Sequence, residues 1–421
     1  MKMKTLVALL VAAGLAVPAV SMAEDRLSLS GSMQVRGQYY DVDMGGMDDD
    51  GMWNDQRLRV QGKFSVADGV SVHFRFDATE SDENSSDAVA WGGSGNKNNA
   101  AGHYVGGSAY QYSQRRADIQ FDKAYLQLDM NGMTLQAGQL YFGGFGHTRQ
   151  VDVVGAGFIG KYQGLTLAHV KRLDENAGNN SFATSTNNGT TTNAGDVSLT
   201  AVKYDIKTDA FTLTPMVAYN LDDNFSDYDL MLIGAAMTTN AGPVSLKAEL
   251  DFLTGERGNT DLAGTQLFVD ASVAASDMAK VGVMAFYALG QDGGDEQVTD
   301  MNYDGRVDWA FADWHPECYG PWASDFVMEF DVFEPAANAG VMGMSVYADI
   351  NASEDLLLQF AGMYATTEDD DIADENVMTL NAAATYKLTA NTKLNAHAYY
   401  VDWDEADASA LQVIAGLVVG F

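Results

Sequence analysis

The chain has 421 residues and carries 58 Asp+Glu against 24 Lys+Arg, a formal net charge of −34. Such a charge repels a phosphate backbone, so nucleic acid is excluded as a natural partner. Cys318 is the one cysteine, which excludes an internal disulfide, and 42 Gly, 19 Phe and 19 Tyr against 6 Pro is the composition of extended strands joined by many turns.

The first segment is basic at Lys2 and Lys4, apolar from Leu6 to Val17, and small-residued at Ser21-Met22-Ala23. This is the pattern of a secretory signal peptide over 1–23, too short to cross a bilayer as a helix, and it leaves a single domain over 24–421. Cleavage removes Lys2 and Lys4, so Lys+Arg falls from 24 to 22 against 58 Asp+Glu and the mature charge is −36. No lipid-anchoring cysteine stands near the cut, and no later run of about eighteen apolar residues predicts a membrane helix.

From there the chain alternates with period two. Leu58, Val60, Phe64 and Val66 share one face of a segment whose other face holds Arg57, Arg59, Gln61 and Lys63. Val70, Val72, Phe74 and Phe76 then alternate with Ser71, His73, Arg75 and Asp77, and Leu246, Leu250 and Phe252 with Lys247, Glu249 and Asp251. Strands are predicted to begin near Leu27, Gln56, Val70, Arg116, Met133, Gly155, Leu165, Val197, Phe211, Tyr228, Val244, Thr265, Lys280, Gly340, Leu356, Val377, Thr392 and Ala408. One segment slips in phase: Ile119 and Phe121 lie on one parity, Ala124, Leu126 and Leu128 on the other. Either a bulge near Asp122-Lys123 or an inward ring accounts for it.

Connections are alternately short and long. Asn131-Gly132, Gln163-Gly164 and Asn240-Ala241-Gly242 are tight, whereas 43–55, 79–114, 174–196 and 291–338 are long, polar and acidic. The Asn/Thr/Gly-rich run 182–195 is a loop tip rather than a domain boundary. Dyad repeats, short turns at one end and long loops at the other predict an all-β, antiparallel transmembrane barrel of about 18 strands, with 16 as the alternative count. A sheet in lipid leaves no backbone group unpaired, so the apolar last segment, Leu411 to Phe421, is expected to pair with the first strand, Leu27 to Tyr39.

With a first strand "LSLSGSMQVRGQYYD" after a signal peptide and a last strand alternating Val413, Ala415, Leu417, Val419 and Phe421, the chain resembles the Gram-negative general porins. The resemblance implies a passive outer-membrane channel, with a homotrimer as its common assembly, and makes Phe421 a sorting signal for the barrel-assembly machinery. It also implies a basic ladder facing a loop folded into the pore after the fifth strand. The inner parity supplies Arg36, Arg57, Arg59, Lys63, His73 and Arg75. The loop would be 142–154, "FGGFGHTRQVDVV", with Asp152 its one acid and Asp118 and Asp122 as reinforcement.

Further signals lie in the long loops. Asp300, Asn302, Asp304 and Asp308 around Gly305 have the alternating oxygen spacing of a calcium loop, but Phe311 stands where a helix-loop-helix site needs Glu. The runs 48–50, 368–371 and 402–407 predict an acidic outer rim able to bridge to lipopolysaccharide through divalent ions. None of the six His has metal or nucleophile spacing, so no enzyme and no cofactor is expected. The expected function is passage of ions and small hydrophilic solutes across the outer membrane, weakly cation-selective because rim acids outnumber the wall arginines. A substrate-specific channel, or an adhesin acting through the aromatic loop 291–338, is the alternative.

Overall fold

The computed structural model describes residues 26–44, 47–78, 119–148, 150–173, 197–222, 228–289, 296–297, 339–371, 374–404 and 408–421. Among them there is no helix, and none long and apolar enough to cross a membrane. The first strands are β1 (Leu27–Met44), β2 (Met47–Ala67), β3 (Val70–Ala78), β4 (Ile119–Met130), β5 (Met133–Phe145), β6 (Val151–Tyr162) and β7 (Leu165–Leu173). Then come β8 (Val197–Tyr204), β9 (Ile206–Lys207), β10 (Phe211–Asp222), β11 (Tyr228–Ala241), β12 (Val244–Arg257), β13 (Thr260–Ala274) and β14 (Ala279–Ala288). The last are β15 (Glu296–Gln297), β16 (Val341–Asn351), β17 (Leu356–Thr367), β18 (Asn376–Thr389), β19 (Thr392–Trp403) and β20 (Ala408–Gly420).

β8 and β9 are one wall strand interrupted at Asp205, and two-residue β15 lies parallel to β13 outside the ring, which leaves a barrel of eighteen strands. Each wall strand runs antiparallel to its neighbours in the chain, and β20 returns to β1 over Ser32↔Gly420 to Asp43↔Ser409. Closure leaves no free edge, the condition for a sheet in hydrocarbon.

Alternation sorts the two faces. On β12, Leu250 and Phe252 are 41% and 49% exposed, facing lipid, while Glu249 and Asp251, which alternate with them, are 1% and 0% exposed, facing in. The turns Asn131-Gly132 (φ 49 and 79) and Gln163-Gly164 (φ 46 and 90) place both central residues at positive φ, the geometry that matches the strand twist in two-residue hairpins. At the opposite end outward tyrosines form a polar-tipped belt. Tyr219, Tyr287 and Tyr400 donate to Asp229 (3.1 Å), Glu368 (2.8 Å) and Asp402 (3.0 Å).

Two expectations need correction, and one open alternative is decided. The segment 43–55 is not a long loop: β1 and β2 stay paired from Leu27↔Phe64 to Met44↔Met47, so β2 begins at Met47 rather than Gln56. β6 begins at Val151 and β13 at Thr260, both earlier than predicted. The phase slip in β4 is a bulge, because Arg75 pairs with Lys123 and Phe76 with Phe121, leaving Asp122 as the extra residue.

The lipid face gives a first prediction. Leu380 is 51% exposed in mid-strand on β18. Leu380→Arg is expected to cost about 2–4 kcal/mol of stability in lipid. Denaturant titration of protein refolded into vesicles, with Leu380→Ala as control, measures it.

Candidate functional site

The basic residues predicted on the inner parity of β1 to β3 lie side by side. Gln34 faces Arg57, Gln61 faces Arg75, and Lys63 faces His73 in the sheet register. Arg36 is buried at 7% exposure opposite Gly416, where an added Cβ would stand 3.0 Å from the Arg36 Cβ. Glycine there leaves room for the guanidinium stem. His73 stacks flat on Tyr125 of β4, centroids 4.9 Å apart and planes 1° off parallel, and its Nε2 lies 2.9 Å from Ser71 Oγ. Lys123 and Tyr125 continue this wall onto β4 because the Asp122 bulge resets the parity. Sequence reading left them out for want of that resolution.

The segment 142–154 differs from expectation in kind. It is a hairpin rather than an irregular loop: β5 runs on to Phe145, β6 starts at Val151, and a short tip spans the two. The register shifts between Phe142 and Phe145, and Gly144 (φ 76) and Gly146 (φ 80) take left-handed conformations there. A bulge beside two such glycines bends the hairpin away from the wall.

It bends inward. Thr148 Oγ1 donates to Glu249 Oε1 at 2.6 Å and lies 3.3 Å from Asp251 Oδ2, and the His147 and Thr148 amides both donate to Glu249 Oε2. Gln150 Nε2 donates to Gln266 Oε1 at 2.8 Å, and His147 Nε2 lies 3.2 Å from the Met237 carbonyl. β12 is five strand steps from β6, roughly 24 Å around the wall at about 4.8 Å per step. These contacts are therefore made through the lumen.

An apolar anchor lies beneath the polar one. Phe142 (1% exposed), Phe145 (3%) and Val151 (1%) pack with inward residues of the neighbouring wall, among them Val170, Leu199, Met216, Leu232 and Leu253. Lys203 closes the side, donating to the Gly144 carbonyl at 2.7 Å with its ammonium 5.6 Å from the Phe145 ring centroid. Elsewhere inward acids are paired. Lys280 meets Asp349 at 2.7 Å, Lys247 meets Asp270 at 3.6 Å, and Tyr347 donates to Asp270 at 2.7 Å. The lumen thus has a basic sector on β1–β4, a hairpin-covered sector on β6–β13, and polar wall between them.

Asp152 falls between the paired residues Val151 and Val153 of β6, and its side chain lies outside the described residues, as do Asp118, Asp300, Asn302, Asp304, Asp308 and the aromatic loop 298–338. The acids that hold the hairpin are Glu249 and Asp251, from the wall rather than the loop. Among the described residues no three His, Cys, Asp or Glu side chains are placed to hold a metal ion.

A family model described as Gram-negative porin matches residues 8–311. No curated protein matches the chain. Among solved structures, Pseudomonas aeruginosa OpdO superposes with a TM-score of 0.56 at 15% identity over 94% of this chain and 97% of its own. Pseudomonas aeruginosa OccK11 (OpdR) gives 0.54 at 11% identity over 94% and 96%, and Acinetobacter baumannii OccAB4 0.54 at 11% over 94% and 99%. At these identities the likeness is one of fold.

Proposed function

The chain belongs to the Gram-negative porin family, and from that premise we propose that it is a selective, passive channel for small hydrophilic solutes and ions rather than a wide general pore. Membership makes it an outer-membrane channel protein and not an enzyme. The observation that carries the selective reading is the β5–β6 hairpin, stapled across the lumen to β12 and β13 at Glu249, Asp251 and Gln266. Solutes pass what the hairpin leaves open, bordered by the basic sector of β1 to β4. Purified protein in planar bilayers should give ohmic, ion-conducting channels; a folded barrel that conducts nothing but binds a surface ligand would favour the adhesin reading.

Selectivity is the finer part of the proposal. The chain's excess of 34 acids enriches cations at the mouth, a solvated effect reaching about 10 Å at 0.1 M salt but only about 3 Å at 1 M. Arg36, Arg57, Arg59 and Arg75 act inside the barrel, nearer the ion and in lower dielectric. The zero-current potential across a salt gradient should therefore report weak cation preference at low salt that fades at high salt. Arg57→Ala with Arg59→Ala should shift it further towards cations at both salts. A potential that responds to neither change would mean a wide bore in which the arginines are only wall. The proposed partners are lipopolysaccharide at the acidic rim and, at Phe421, the barrel-assembly machinery.

A further inference from the structure

The lipid-facing side of the wall is mostly apolar, and two neighbouring strands break the pattern together. On β7 the outward residues Leu165 and Leu167 are followed by His169 and Lys171, and on β8 Ser198 and Thr200 precede Val202 and Tyr204. The alternate residues Ala168, Val170, Leu199 and Ala201 are buried on the inner side. Register sets His169 opposite Thr200 and Lys171 opposite Ser198. Four polar side chains thus form a block about 5 Å across the strands and about 7 Å along them. Among the described residues, Lys171 is the one Lys or Arg, and His169 the one His, on the outward side of a wall strand.

Neighbours fix the height of the block. Thr200 faces Tyr219 of β10, a member of the outer tyrosine belt, and Lys171 and Ser198 stand one step nearer the extracellular ends of their strands. That is the level of outer-leaflet headgroups, where a lysine on the lipid face is tolerated as it is not at the midplane. Below the block the surface is apolar, with Leu167 and Val202 each 38% exposed. Beside Leu167 stands Gly160, where an added Cβ would meet nothing within 4 Å. A polar group above an open apolar strip matches the head and chain of an amphiphile.

The block presents donors. His169 Nδ1 lies 2.8 Å from Thr200 Oγ1, and the imidazole leans on Phe158 with centroids 5.7 Å apart. One hydrogen joins ring and hydroxyl, and either direction leaves a donor over: Nε2–H when the hydroxyl donates, the hydroxyl proton when Nδ1–H donates. Ser198 adds a hydroxyl and Lys171 a charged ammonium, and neither strand contains an acid. Asp229, beyond β10, is already taken by the Tyr219 hydroxyl and the Glu256 amide. The acidic runs 48–50, 368–371 and 402–407 belong to β2, the β17–β18 connection and the end of β19 with its connection to β20, none adjoining β7 or β8. In a chain with an excess of 34 acids, a cation and donors gathered where no acid stands suit an anion.

We infer that the β7–β8 block is a docking site for the phosphate of an outer-leaflet lipid, held directly by His169, Thr200, Ser198 and Lys171 while an acyl chain lies along the Gly160 strip. The acidic rim can meet such phosphates only through divalent ions; this site needs none. It rests on the outer-membrane reading and not on conductance.

The test refolds the barrel into phosphatidylcholine vesicles holding a minor share of lipid A and releases it in mild detergent. A chelator removes divalent bridges at the rim, and native mass spectrometry weighs the lipid retained. Wild type should keep lipid A and keep its dephosphorylated form about tenfold less. His169→Ala with Lys171→Gln should lose the phosphorylated lipid to the same degree. Lys393→Gln, an equal loss of charge at an exposed position of β19, should retain it. Equal retention of the two lipids, or wild-type retention by the double variant, would overturn the site. Displacement by inorganic phosphate would overturn the lipid assignment. So would a double variant that keeps its lipid but falls from oligomer to monomer, because the face would then join copies of the chain. The comparison of lipids uses wild type alone, so it decides even if the double variant does not assemble. A barrel that retains lipid A but conducts nothing fails the channel reading and leaves this one standing.

Discussion

Replacing Phe142 and Phe145 together by alanine is expected to turn a steady channel into one of severalfold larger and fluctuating conductance. Both rings lie inside the barrel, 1% and 3% exposed, and fasten the bent hairpin to the inward side of β7 to β12. Truncating a buried Phe to Ala costs about 3–5 kcal/mol, and no new contact replaces either ring. The wall does not depend on them in the same degree, because each barrel strand is paired on both sides around the closed ring. The hairpin is therefore the part that gives way. Phe158→Ala is the control: that ring is 38% exposed towards lipid, on the outer parity of β6, and its loss should leave conductance alone. A double variant with wild-type conductance, correctly assembled, would mean that the hairpin does not limit the passage and that the selective reading has lost its support.

Most of the barrel is legible from alternation, because one face of each strand must be apolar. Where that condition lapses, the reading lapses with it. The extension of β1 and β2 through Asp48 and Asp50 reads as loop because it is acidic, yet the two strands stay in backbone register to Met44↔Met47. The inward course of 142–154, which the family resemblance implies, is signalled on another strand as well. Leu230 and Leu232 face in while Met231 and Ile233 alternate with them, so β11 is apolar on both faces. A strand whose inner residues are 0% exposed cannot border an aqueous lumen, and something apolar must cover it. Phe142, Phe145 and Val151 do so. The staple itself had no readable signal: Thr148 and Glu249 stand 101 positions apart, and nothing local to either names the other. On β4 alternation left two options for one misplaced residue, and only the register with Arg75 and Phe76 shows that Asp122 is the bulge.

Removing Phe421 should lower the outer-membrane yield sharply while the channels that do assemble conduct normally. The reason lies in the seam. Gly31 and Phe421 exchange two backbone hydrogen bonds, Gly31 N to Phe421 O at 2.8 Å and Phe421 N to Gly31 O at 3.0 Å, which extend the β1–β20 ladder past its last strand pair. Their loss frays the β1–β20 seam at its end, where the closed ring has no other pairing to hold it. The Phe421 ring lies on the outside, 59% exposed, and covers the place where Gly31 has no side chain: a Cβ there would strike the Arg59 carbonyl oxygen and come within 2.6–2.8 Å of the ring carbons. Gly31→Val should therefore reproduce the assembly defect with Phe421 present, by pushing the ring off the seam and β1 away from the Arg59 carbonyl of β2. Phe421 deletion touches neither the hairpin nor the basic sector, so in that variant single-channel conductance and zero-current potential should stay at wild-type values. Equal defects in yield from Phe421 deletion and Gly31→Val would place the effect in closure of the seam. A defect from Phe421 deletion alone would place it in recognition of the ring by the assembly machinery, and normal yield from both would reduce Phe421 to one more lipid-facing side chain.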